Sequence, residues 1–102
     1  MDIELKREGI SSLYVKTSGR LDLDNSVEYG TKIKETVEDS EDIKILILDF
    51  KDIIFISSFG LKIILELHKQ MMERGSMRLI NVSEQILKSF KMVGFDKFLV
   101  IE

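Results

Sequence analysis

Two adjacent hydroxyls, Ser57 and Ser58, offer the best-framed polar chemistry in the sequence. Ile53-Ile54-Phe55-Ile56 leads into them, and from Phe59 the apolar residues recur at helical spacing as far as Gly75. An apolar strand thus delivers both hydroxyls to the start of a helix. Helix amino termini expose N–H groups without intrahelical acceptors and carry partial positive charge. A serine there has two uses. It can cap the helix by accepting a backbone N–H, which stabilises by about 1 kcal/mol. Alternatively it can take a phosphate, roughly −1.5 to −2 charges, where an anion is tolerated. On a docking surface that charge would abolish a contact and leave the domain folded. The residues alone leave both readings open, and both serines.

Other reactive side chains are scarce. His68 is the only histidine, so no second imidazole can share a metal with it, and a packed or boundary position is expected. Asp22, Asp24, Asp49 and Asp52 lack the alternating ligands and glycine of a calcium loop and read as caps and turn residues. The absence of cysteine excludes disulfides and thiolate metal sites. No Walker-type glycine loop and no G-x-S-x-G elbow is present, and no nucleophile–base pair can be drawn, so no catalysis and no metal are expected. Met71, Met72, Met77 and Met92 are expected to fill the core and its rim.

The whole composition fits one small globular domain, 1–102, at 44% hydrophobic and 32% charged residues. A net charge of −3 argues against nucleic-acid binding. No apolar run approaches the ~18 residues of a membrane span. The start, Met1-Asp2-Ile3-Glu4, is acidic where a secretory signal is basic, so a cytoplasmic location is expected.

The elements that must position the serines follow from periodicity. Residues 3–7 alternate as a strand, Glu8-Gly9 turns, and residues 12–17 form the second arm of a hairpin closed by Gly19-Arg20-Leu21-Asp22. Asp24, Asn25 and Ser26 read as capping residues, with Asn25 and Glu28 spaced as a capping box, before a helix from about Val27 to Asp39. Val27, Ile33 and Val37 are its thin apolar face. The run from Ile43 to Phe50 reads as a strand covered on both faces, with Asp49–Asp52 as a loop. The next helix places Leu61, Ile64, Leu65, His68 and Met72 on one stripe and stops at Gly75. A strand over residues 77–82, a helix capped by Ser83 and stopped by Gly94, and a last strand over 98–101 complete the chain. The order β-β-α-β-α-β-α-β predicts an α/β fold: a mixed sheet of four to five strands with three helices packed against it.

This layout resembles a STAS domain, the fold of anti-sigma-factor antagonists in bacterial partner switching. Gly19-Arg20-Leu21-Asp22, Ile45–Asp49, Ile56-Ser57-Ser58-Phe59-Gly60-Leu61 and Asn81-Val82-Ser83 carry the resemblance, in the family's order and over essentially the whole chain. It implies that the serine two residues before the glycine, Ser58, is the phosphoacceptor, with Ser57 as second choice. The implied partners are an anti-sigma factor that is also a serine kinase and supplies the ATP, and a serine phosphatase; the domain itself needs no cofactor. The implied docking residues are Asp22, Asp24, Ser57, Ser58, Phe59 and Lys62, with Asp22 close to the acceptor. Many members have an aspartate where Ser57 stands and a small residue where Phe59 stands. Members often continue into a further helix where this sequence ends at Glu102, and a monomer is expected. The function implied is an antagonist that binds the kinase when unphosphorylated, frees a sigma factor and is switched off at Ser58. The alternative is a scaffold or ligand-binding module of the same fold.

Overall fold

A computed structural model describes residues 1–102. The elements run β1 (Ile3–Glu8), β2 (Ser12–Leu21), α1 (Leu23–Glu38), β3 (Ile45–Ile56), α2 (Ser58–Met72), β4 (Ser76–Ile80), α3 (Glu84–Met92), a short 3₁₀ turn (Phe95–Lys97) and β5 (Val100–Ile101). The sheet is five-stranded in the order β1-β2-β3-β4-β5, antiparallel between β1 and β2 and parallel elsewhere. The expected α/β order is therefore the observed one. Each parallel step is joined by a helix, as parallel pairing requires.

Side chains alternate along the central strands. Leu13 and Val15 lie opposite Leu46 and Leu48, which lie opposite Met77 and Leu79. These six are all buried in one cluster of 22 residues. That cluster also holds Ile33 and Val37 of α1, Ile64 and Leu67 of α2, and Ile86 and Phe90 of α3. A single shared core means that the three helices cover one face of the sheet. The other face carries Tyr14, Lys16, Ile45 and Ile47, all only half-buried. β3 is thus covered on one face, not two.

The expected loop at Asp49–Asp52 is instead the middle of β3, which continues to Ile56. Asp49 is 4% exposed and stays ionised through three donors around it. Tyr14 donates its phenol to it, Asn81 Nδ2 donates at 3.0 Å, and the Lys51 N–H donates at 2.9 Å. Burial pushes the Asp49 carboxyl up, but these donors together with Lys16 outweigh it and hold it below its usual range. The same contact, first, and burial, second, push the Tyr14 phenol up to about 12. Asn81 is the only non-glycine residue with positive φ, at 58°. Its side-chain bond to Asp49 fixes the left-handed turn that launches α3, a conformation asparagine tolerates.

Two further expectations shift. α1 begins at Leu23, and its cap is Asp22, whose carboxylate accepts the Asn25 N–H at 3.0 Å; the Asn25–Glu28 box does not form. Asn25 instead donates from Nδ2 to the Arg20 carbonyl at 2.9 Å. The buried face of α1 is Ser26, Tyr29, Gly30, Ile33 and Val37, and Val27 is 48% exposed. On α2 the buried set is Gly60, Leu61, Ile63, Ile64, Leu67 and Met71, which leaves Met72 outside at 66%. Met92 is exposed too, whereas Met77 is core. His68 sits at the boundary, its ring 5.1 Å from that of Phe98.

Candidate functional site

Parallel pairing of β2 with β3 brings their carboxyl ends to the same edge. The final pair in register is Leu21 with Ile56. The next residue on each strand caps a helix: Asp22 caps α1 and Ser57 caps α2. The caps are tied to one carbonyl. Ser57 donates to Leu21 O twice, from its backbone N–H at 2.9 Å and from its hydroxyl at 2.8 Å. The same hydroxyl accepts the Gly60 N–H at 3.0 Å.

Close helix packing holds this edge. A Cβ at Gly60 would lie 2.8 Å from Ile56 Cγ1, 2.9 Å from Leu21 O and 3.1 Å from Ser26 Oγ. One turn further along, a Cβ at Gly30 would lie 2.9 Å from Ile63 Cγ2. Small residues therefore let α1 and α2 approach where the two caps meet, and Lys34 and Glu66 close the seam at 2.6 Å. At the far end Arg74 binds three carbonyls: Val37 in the last turn of α1 at 2.8 Å, and Ser40 and Ile43 beyond it at 2.5 Å and 2.9 Å.

The structure places the two serines in different environments. Ser57 is half-buried and its hydroxyl is consumed by the cap. Ser58, the first residue of α2, is exposed, and its hydroxyl takes no part in the cap. Because Ser57 occupies the Gly60 N–H and its carbonyl takes the Leu61 N–H, the amides of Ser58 and Phe59 remain at the open end of the helix. Phe59 is half-buried against the core, and Lys62 Nζ lies 5.7 Å from its ring centroid. Asp24 is exposed in the first turn of α1. The six candidate residues thus sit on two adjacent helix starts, although the Asp22 carboxylate is committed to its own helix.

Sequence reasoning missed the surroundings. The Arg20 guanidinium carbon lies 4.2 Å from the Phe55 ring centroid, a pairing set by the strand register opposite Phe55. Gly19, at φ 106°, sits where that register slips. Leu23 and Val27, one turn apart on α1, and Ile54 on β3 expose apolar surface near this edge. The four aspartates are dispersed: Asp22 caps, Asp24 faces solvent, Asp49 is bound within the sheet, and Asp52 lies 3.7 Å from Lys16. No group of three or more His, Asp or Glu is placed to hold a metal ion.

Comparison with known families decides the relationship: the sequence pattern of the STAS domain matches residues 4–102. The chain belongs to the STAS domain family. Among solved STAS-fold structures, the phosphorylated form of the Bacillus cell fate determinant SpoIIAA superposes with a TM-score of 0.76 at 20% identity, covering 99% of this chain and 91% of that one. An anti-sigma factor antagonist from Mycobacterium paratuberculosis gives 0.86 at 19% identity, with 98% and 83% covered. The murine solute carrier 26 family member A9 anion transporter, in its inward-facing state, gives 0.76 at 22% identity, with 90% of this chain but 15% of that chain covered. These likenesses confirm the STAS fold. No helix of this STAS domain is long and apolar enough to cross a membrane.

Proposed function

We propose that this STAS domain is an anti-sigma factor antagonist that binds an anti-sigma factor serine kinase when unmodified and is released by phosphorylation of Ser58. One observation carries the reading. Ser57 performs the capping that would otherwise explain a serine here, which leaves Ser58 with an exposed hydroxyl and no structural duty. Similarity to a protein named as an anti-sigma factor antagonist, and to SpoIIAA in its phosphorylated form, supports the same role.

The docking surface is the edge formed by the starts of α1 and α2: Asp22, Asp24, Ser58, Phe59 and Lys62, with Ser57 beneath them. A phosphate would add charge at its centre. Desolvating that charge against a partner that lacks a matching cation costs several kcal/mol. Every 1.4 kcal/mol is tenfold in affinity, so the effect suffices as a switch. The ATP belongs to the kinase, and a serine phosphatase would reset the domain.

The test is incubation with a cognate kinase and ATP, with the site mapped by mass spectrometry on the wild type, Ser57→Ala and Ser58→Ala. Labelling lost only in Ser58→Ala is expected; undiminished labelling of Ser58→Ala defeats the assignment. The embedded match within an anion transporter favours one other reading, a STAS module serving a larger assembly without modification. Ser58→Asp separates the two, because a module of that kind would keep its partner.

A further inference from the structure

We infer that Lys62 is the counter-ion of the phosphorylated Ser58 side chain, so that modification pulls the Lys62 ammonium off the Phe59 ring and remodels the docking face from within. The inference rests on the proposed modification of Ser58 and extends it to what the domain itself does in response. Ser58 and Lys62 are at i and i+4 on α2, the spacing at which helical side chains meet. Lys62 is exposed and enters none of the four ion pairs of the protein; its ammonium lies 5.7 Å from the Phe59 ring centroid, and the one carboxylate that feels its charge, Glu66, is held mainly by Lys34.

The other charges at this edge are already engaged or of the wrong sign. Arg20 is held over Phe55, Asp22 caps α1, Asp24 is an exposed anion, and Glu66, on the next turn of α2, is bound to Lys34. Lys62 is therefore the free cation within one helical turn of the acceptor. An exposed cation–π contact is weak, whereas a phosphate dianion at i−4 attracts the ammonium with twice the charge of a carboxylate. The switch then changes three neighbouring positions at once: Ser58 gains charge, Lys62 is neutralised, and the Phe59 ring is uncovered.

The test uses the full chain with phosphoserine installed at position 58 by genetic encoding, so it does not depend on any kinase recognising the site. The second phosphate pKa, ordinarily about 6, is read by ³¹P NMR titration. The wild type and Lys62→Arg should titrate lower than Lys62→Gln by roughly 0.15–0.4 of a pH unit, because the second ionisation adds one unit of charge and a helical i,i+4 ion pair is of that size. The ε-methylene protons of Lys62, shifted upfield by the Phe59 ring in the unmodified protein, should return toward their ordinary position on modification. Equal titrations in wild type and Lys62→Gln overturn the inference, as does an equal shift in Lys69→Gln, which would make the effect one of overall charge. Failure of kinase labelling would instead refute the functional reading and leave this result standing.

Discussion

Replacing the two serines one at a time tests the division of labour between cap and acceptor. Ser57→Ala removes a hydroxyl that accepts the Gly60 N–H at 3.0 Å and donates to Leu21 O at 2.8 Å. Loss of a helix cap costs about 1 kcal/mol. The Leu21 carbonyl keeps the Ser57 N–H at 2.9 Å, so its second bond adds only a net hydrogen-bond increment of about 0.5–1 kcal/mol. The expected total is about 1.5–2 kcal/mol. In a domain of this length each kcal/mol moves the melting temperature by roughly 4–8 °C. Ser58→Ala deletes an exposed hydroxyl at the first helical position and should stay within about 0.5 kcal/mol of wild type. Urea denaturation at fixed pH reads both, with an unchanged slope showing that only stability has moved. Equal losses for the two variants, or a larger loss for Ser58→Ala, would refute the reasoning that Ser58 is structurally free.

Three further outcomes follow from the packing. Arg74→Ala strips the donors from the Val37, Ser40 and Ile43 carbonyls and should cost about 2–4 kcal/mol in chemical unfolding, with Arg74→Lys recovering only part because it lacks the planar fork. Gly60→Ala forces Cβ against Leu21 O and Ile56; it should cost about 1–3 kcal/mol and shift the amide resonances of Ser57 and Ser58, the backbone of the proposed docking edge. Asp49 and Tyr14 set opposite pH limits. The lowered Asp49 carboxyl contributes stability that is present above the unfolded pKa near 3.9 and is lost as pH falls through the lower folded value. The raised Tyr14 phenol contributes stability that is complete below about 10 and is lost as pH rises toward about 12. Denaturation midpoints across pH should therefore lose part of their acid-end slope in Asp49→Asn, with Asp42, Glu66 and Glu102 supplying the rest, and part of their alkaline-end slope in Tyr14→Phe, with the buried Tyr29 supplying the rest.

Much of this was legible in the sequence because local pattern and global fold agree. The alternation of residues 3–7, the apolar run at 45–48 and the helical stripes after Phe59 and Ser83 each locate an element. What stayed hidden depends on residues far apart in the chain. Asp49-Phe50-Lys51-Asp52 has turn composition, yet Tyr14 on β2 and Asn81 just after β4 satisfy Asp49 and the strand runs on. Val27 falls on the thin apolar stripe of α1 yet lies exposed; Gly30 and Ser26 take the buried place because α2 approaches too closely for larger side chains. The different environments of Ser57 and Ser58 depend on the Leu21 carbonyl, 36 residues away along the chain from Ser57. The Arg20–Phe55 pairing depends on strand register, which no local pattern displays.

The central claim is that charge on an exposed, structurally idle hydroxyl decides partner binding without touching the fold. Calorimetric titration of a cognate anti-sigma factor kinase with the unmodified domain and with the form carrying phosphoserine at 58 measures this directly. An affinity loss of about 100-fold or more, with both forms melting within a few degrees of each other, is the predicted result. Equal affinities of two well-folded forms would contradict it.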